Sequence, residues 1–186
     1  MLPKKVDDSP VFQLKVTLKG IRPPIWRRIL VRGSTTLFRF HDIMQIVMGW
    51  EDEHLHEFVV GGTHYGVPDP DWGADVKNET RVKLGQIVAQ PKDRFLYEYD
   101  FGDGWLHEIL VEKVLPVEPD VHYPVCVKGK RACPPEDVGG EWGYAMFLEA
   151  IADPENPEHA DMVEWGGEFD PEEFDLEAVN ADLRRL

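Results

Sequence analysis

The stretch RFLYEYDFGDGWLHEILVEKVL, residues 94–115, limits the possible folds more than any other part of the chain. Large apolar residues alternate with polar ones on both sides of a Gly-Asp-Gly centre, the period-2 pattern of two half-buried strands joined by a tight turn. Phe95, Tyr97, Tyr99 and Phe101 form one apolar face, and Trp105, His107, Ile109 and Val111 form its counterpart. Glycines 102 and 104 supply the positive φ that a tight turn needs, and Asp103 is a turn former. Two registers compete. If Gly-Asp-Gly is a three-residue loop, Phe101 faces Trp105 and Tyr99 faces His107, which makes His107 a core or boundary residue. If Asp103-Gly104 is a two-residue type I′ turn, Asp100 faces His107 and the two form a hydrogen-bonded pair. The first register keeps the apolar face continuous and is preferred, although it sets Glu98 against Glu108.

The same periodicity organises the rest of the chain. VFQLKVTLK alternates from Val11, with Phe12, Leu14, Val16 and Leu18 on one side. After Pro23 and Pro24, IWRRILV resumes in an extended form suited to pairing back on that strand. Ser34, Thr35 and Thr36 offer N-cap oxygens to LFRFHDIMQIVMGW, where Leu37, Phe40, Met44, Val47 and Met48 recur at helical spacing before Gly49. HLHEFVV reads as a third strand and VPDPDWGADVKNETR as an irregular loop. A short helix is expected over 82–88, a further strand in YPVCVKG, and helices in GYAMFLEAIADP, near 159–165 and near 176–183. Strands fill the first two-thirds and helices the last third. The expected fold class is therefore α+β: a largely antiparallel sheet, one helix after the first hairpin, and a helical C-terminal third packed on the sheet. One domain is expected over residues 1–186, with 1–10 flexible.

Composition excludes several functions. The net charge is −15, so the average surface repels phosphate and non-specific nucleic-acid binding is not expected. The clusters Arg22, Arg27, Arg28, Arg32 and Lys128, Lys130, Arg131 read as solvated edges or ion-pair partners. No run of apolar residues is long enough to span a membrane, and MLPKKVDDSP lacks the apolar core of a signal peptide, so a cytoplasmic protein is expected. Two cysteines are too few for a disulfide framework.

Several residues have the chemistry for a site. Asp100, Asp103 and His107 are the candidates for proton exchange, being close together in the hairpin. His54 and His56 stand one residue apart in the expected third strand, where both rings would leave one face as a metal pair requires. Glu51, Asp52, Glu53 and Glu57 are near enough to orient them. His107, Cys126 and Cys133 complete the set of candidate metal ligands, and Zn²⁺ or Mn²⁺ is the cofactor such ligands would take. The cysteines are separated by six residues, unlike a zinc knuckle, so two buried thiols are the first reading. CPPEDVGGEWGY lacks the lysine of a phosphate-binding loop and reads as a rigid connector whose acids cap the following helix.

Four motifs, IRPPIWRRILV, HDIMQIVMGWEDEHLHEF, YDFGDGWLHEI and CPPEDVGGEWGY, taken in this order, resemble the plasmid pRiA4b ORF-3-like family over nearly the whole chain. Members of that family are also labelled as insertion-element passenger proteins, with a name suggesting a resolvase. The family has no established biochemical activity, and the resemblance implies only that the motif residues belong to one recurring arrangement. The residues themselves argue against a serine recombinase, since Ser9 and Ser34 are the only serines and the C-terminus is strongly acidic. Two readings follow. The first is a non-enzymatic binding or accessory protein that holds a protein or small ligand, because no complete catalytic set is visible. The second is a metal-dependent hydrolase or nuclease using His and Asp ligands.

Overall fold

The computed structural model describes residues 9–68 and 76–186. Residues 69–75, the centre of the expected irregular loop, lie outside the described residues, as do residues 1–8. At the start of the described residues Ser34 N–H donates to Ser9 Oγ at 3.2 Å and Gly33 N–H to the Pro10 carbonyl at 2.7 Å.

Among the described residues eight strands form one sheet in the order β5-β4-β3-β6-β7-β1-β2-β8. The strands are β1 (Val11–Leu18), β2 (Trp26–Arg32), β3 (His56–Val60), β4 (Thr63–Gly66), β5 (Lys77–Asn78), β6 (Arg94–Tyr99), β7 (Trp105–Leu115) and β8 (Val125–Lys130). All neighbours are antiparallel except β4 and β5. The helices are α1 (Leu37–Met48), the single turn α2 (Leu84–Ile87), α3 (Gly140–Ala152), α4 (His159–Gly166) and α5 (Leu176–Leu183). The α+β class is thus observed, with α1 after the first hairpin, α2 before β6, and α3, α4 and α5 after the last strand.

The alternating strands bury the side expected of them: Phe12, Leu14, Val16 and Leu18 of β1 are all within the core. Helix α1 starts where Thr36 Oγ1 accepts the Arg39 N–H and stops where Gly49 turns left-handed at φ 94°. Phe40 of α1 packs against Phe58 of β3 and Phe95 of β6, with ring centroids 6.0 and 5.9 Å apart. Helix α5 is fastened to the edge strand β8 by one side chain. Asn180 Oδ1 accepts the Cys126 N–H and Asn180 Nδ2 donates to the Cys126 carbonyl, each at 2.8 Å, which pairs an otherwise open strand edge.

The central hairpin departs from both expected registers. Tyr97 faces His107 and Tyr99 faces Trp105, so five residues, 100–104, form the connection. Asp100 leaves the ladder at φ 55°, its Oδ1 accepts the Gly102 N–H at 2.9 Å, and its carbonyl accepts the Gly104 N–H at 2.6 Å. This side-chain turn competes with the ladder and wins. Because the slip from the preferred register is two residues, the same side chains stay inward. It also removes the conflict between Glu98 and Glu108, since Glu98 now faces Leu106. Phe101 leaves the sheet and is exposed.

Arg27 corrects the reading of the N-terminal arginines as surface groups. It points inward between Ile25 and Ile29 and is 1 % exposed. Its guanidinium donates to the carbonyls of Val47, Trp26 and Lys130 at 2.6, 3.0 and 2.9 Å and lies 4.0 Å from the Phe174 ring centroid. Arg131 is likewise buried, donating to Glu172 and to the Pro23 carbonyl, each at 2.7 Å. Arg28 does behave as an ion-pair partner, with Nε and Nη2 2.5 and 2.7 Å from Glu112.

Candidate functional site

One stripe of α1, Leu37, His41, Gln45 and Met48, carries two polar residues into the core side of the helix. Tyr97, inward on β6, meets them there. The Gln45 Oε1 accepts the Asp52 N–H at 3.0 Å, so its NH₂ is the group that reaches the Tyr97 hydroxyl at 3.1 Å. Tyr97 O–H then donates to His41 Nδ1 at 2.8 Å, and His41 Nε2–H donates to Asp52 Oδ1 at 2.7 Å. This tautomer is assigned from the network. Burial and the neighbouring His56 hold the His41 pKa below the ordinary imidazole value, and burial pushes the Tyr97 phenol well above its own.

His56, the first residue of β3, has Nε2 2.9 Å from Glu79 Oε2. Glu79 is fully buried, and its Oε1 has no hydrogen-bond partner among the described residues. The His41 and His56 rings stack face to face, 3.4 Å apart and 6° from parallel. Two imidazole–carboxylate pairs therefore stand side by side.

These pairs form the floor of a cavity of about 650 Å³ between α1, β3 and the end of β4. Asp42, Asp52, His54 and Glu57 continue the polar wall, while Phe38, Leu55, Val67 and Phe101 form an exposed apolar rim. Among the described residues no lysine or arginine lines it.

The expected site residues are distributed differently from the sequence reading. His54 and His56 do not share a strand face, because β3 begins at His56 and His54 lies in the preceding loop. They take different partners: His56 meets Glu79, whereas His54 Nε2 lies 3.2 Å from Asp137 Oδ1, 3.8 Å from Asp100 Oδ2 and 3.9 Å from Glu136 Oε2. Of the neighbouring acids, Asp52 orients His41, and Glu57 Oε2 pairs with His64 Nδ1 at 2.8 Å. Asp103 turns away and its Oδ2 accepts the Gly139 N–H at 3.1 Å. It thereby serves the start of α3, the task expected of the acids in CPPED. Glu136 instead accepts from the Tyr99 hydroxyl and from the Glu51 N–H, both at 3.0 Å.

His107 is no part of the cavity. It is fully buried, packs edge-on against Trp50 with centroids 5.3 Å apart, and has Nδ1 3.3 Å from the Tyr97 carbonyl. Burial pushes its pKa down to about 4. Cys126 and Cys133 are free thiols whose pKa values burial raises, against the thiolate form a metal needs, and neither lines the cavity. Sequence reasoning passed over His41 and Glu79, and read Glu136 and Asp137 as acids that cap the following helix. Only His41 left a local signal, as a polar residue four after Leu37 and four before Gln45 on one helix stripe.

A family model described as "Plasmid pRiA4b ORF-3-like protein" matches residues 10–178. The chain belongs to this family. A relative from Sinorhizobium fredii (strain NBRC 101917 / NGR234), the uncharacterized protein y4hQ, is 41 % identical over 173 residues, 92 % of this chain and 87 % of the relative. The crystal structure of MM3350 from Methanosarcina mazei Go1, a protein of unknown function, superposes with a TM-score of 0.83 at 41 % identity. The match covers 91 % of this chain and 97 % of that one. No helix among the described residues is long and apolar enough to cross a membrane.

Proposed function

We propose that the protein is a small-molecule binding protein whose ligand enters the histidine-floored cavity with an apolar body and a cationic or hydrogen-bond-donating head. One observation carries this reading: the cavity joins an apolar rim of Phe38, Leu55, Val67 and Phe101 to a floor and wall whose charged groups are carboxylates. Rim side chains contribute by leaving water, and carboxylates accept from the head. The same carboxylates repel an anion, which sets phosphates and nucleic-acid backbones aside as direct ligands. An accessory role beside a mobile element fits such a binder and needs no recombinase apparatus. The hydrolase reading requires a bound cation, and the cluster around His54 is the observation that favours it; a nuclease would further require the cation to offset the surrounding acids.

The test is a titration of arylalkyl amines, phenethylamine and tryptamine, beside their carboxylate counterparts phenylacetate and indole-3-acetate, followed by NMR of the imidazole and Phe38 resonances. Saturable shifts at His41, His56 and Phe38 with the amines alone are expected, weakened at least tenfold by Leu55→Lys on the rim, which removes apolar surface and adds a like charge. Equal binding of the carboxylates, or no saturable shift with either amine, contradicts the reading.

A further inference from the structure

Three segments that are far apart in sequence meet at His54 Nε2. The loop before β3 brings His54, the β6–β7 connection brings Asp100, and the loop before α3 brings Glu136 and Asp137. Each of the two more buried carboxylates has one oxygen committed elsewhere. Asp100 Oδ1 holds the Gly102 N–H, and Glu136 Oε1 holds the Tyr99 hydroxyl and the Glu51 N–H. Their remaining oxygens, Oδ2 and Oε2, are the ones directed at His54. Such outer hydrogen bonds, which fix one oxygen and present the other, are characteristic of the groups that position metal ligands.

Hydrogen bonding does not account for the cluster. His54 Nε2 and Glu136 Oε2 are both buried and have no hydrogen-bond partner among the described residues, although they lie 3.9 Å apart. Two orphaned polar atoms facing each other have each given up water with no hydrogen bond in return. Three carboxylates also gather here, and among the described residues no lysine or arginine forms an ion pair with any of them. A cation answers both deficits. Ligands bound at about 2.0–2.2 Å in a tetrahedral shell stand about 3.3–3.6 Å from one another; the three carboxylates lie 3.2, 3.8 and 3.9 Å from His54, and the ligand atoms of Glu53, His54 and Asp137 all lie within 4.8 Å of one another. The neighbouring contacts His41–Asp52 and His56–Glu79, at 2.7 and 2.9 Å, are instead hydrogen bonds already made.

We propose that His54 Nε2, Asp137 Oδ1 and the Glu53 carboxylate, which lie within 4.8 Å of one another, form a binding site for one divalent cation of the zinc or manganese class, with Asp100 Oδ2 and Glu136 Oε2 facing the same imidazole nitrogen. An imidazole among carboxylates matches those ions better than cations that take oxygen ligands alone. Glu53 and Asp137 are exposed, whereas His54 is half-buried. The site adjoins the cavity through His54 but does not depend on the organic ligand proposed above.

The experiment is calorimetric titration of the chelator-stripped full chain with Zn²⁺ and with Mn²⁺, beside Ca²⁺ and Mg²⁺. Pulsed EPR of the Mn²⁺ form reads nitrogen coordination directly. Zn²⁺ or Mn²⁺ is expected to bind at one ion per chain with micromolar or tighter affinity and a single nitrogen coupling. His54→Ala should abolish that coupling, and His54→Ala, Glu53→Gln and the exposed Asp137→Asn should each weaken binding at least tenfold. Glu57→Gln, paired with His64, should change affinity less than twofold. Asp137→Asn keeps the test decisive should a more buried variant fail to fold. No binding of either ion overturns the proposal. So does unchanged affinity in Asp137→Asn and His54→Ala, or binding lost in His56→Ala but kept in His54→Ala, which would assign the ion to the stacked histidines. Amine binding with no cation binding would sink this site alone, and the converse would sink the ligand reading alone.

Discussion

Acidification should destabilise this protein through His107, and the size of the effect follows from its burial. The imidazole is fully enclosed, with Nδ1 on the Tyr97 carbonyl and Trp50 across its edge, and burial holds its pKa at about 4. In the unfolded chain the same ring titrates near its ordinary value of 6.5. As pH falls below about 6.5 the unfolded state takes up a proton that folded His107 refuses until about 4, so the unfolded state is favoured throughout that window. Stability is fully present above the unfolded value and its loss is complete below the folded one. At about 1.4 kcal/mol per tenfold change in proton activity, the span from 6.5 to 4 makes roughly 3 kcal/mol. The assay is urea denaturation between pH 7.5 and 4.5, comparing the wild type with His107→Leu. The variant's cavity and lost hydrogen bond offset its curve at every pH, whereas the titration appears in the slope. Between pH 6 and 4.5 the wild type should lose stability faster than the variant by about 1.2 kcal/mol per pH unit. Parallel curves, or an NMR titration of His107 near 6.5, would refute the reasoning.

Other substitutions test the fold around the site. Arg27→Lys keeps the charge but cannot hold the Val47, Trp26 and Lys130 carbonyls together, and should cost about 2–4 kcal/mol by denaturant unfolding; a change under 1 kcal/mol would show that the fork is dispensable. Gly140→Ala combines a φ of 68° with a Cβ placed 2.7 Å from the Asp103 carbonyl oxygen, and should lower stability by about 1–3 kcal/mol while shifting the 100–104 loop resonances. Asn180→Ala removes both bonds to Cys126, and hydrogen exchange at the Cys126 amide should accelerate by an order of magnitude or more; unchanged protection would mean β8 holds without α5.

Strand identities were legible because a half-buried strand must alternate, and β1, β6 and β7 alternate over six residues or more. The hairpin's inward face was legible for the same reason, but its register was not. Alternation fixes a face only to within two residues, and the left-handed Asp100 with its side chain on the Gly102 N–H decided the remainder. Arg27 could have been found by parity, since it stands two residues before Ile29 and four before Val31 on the inward side of β2. Its charge argued for the surface, and only the three carbonyls that satisfy it make burial tolerable. The pairing His-x-His failed because alternation was extended two residues past the true start of β3. What brings His54 to Asp100, Glu136 and Asp137 is the meeting of three loops, and no local spacing encodes that. Glu79 was hidden similarly, at the end of an irregular segment and 23 residues from the histidine it meets.

The claim at the centre of this account is that the loops carrying His54, Asp100 and Glu136–Asp137 converge to hold one cation beside the histidine-floored cavity. The most direct measurement is an anomalous difference map from crystals of the full chain grown with Mn²⁺ and with Zn²⁺. The account predicts one peak about 2.0–2.3 Å from His54 Nε2 and from at least two of the carboxylates of Glu53, Asp137, Asp100 and Glu136. A peak on His41 and His56 instead, or no peak at His54 in the presence of millimolar metal, would contradict it.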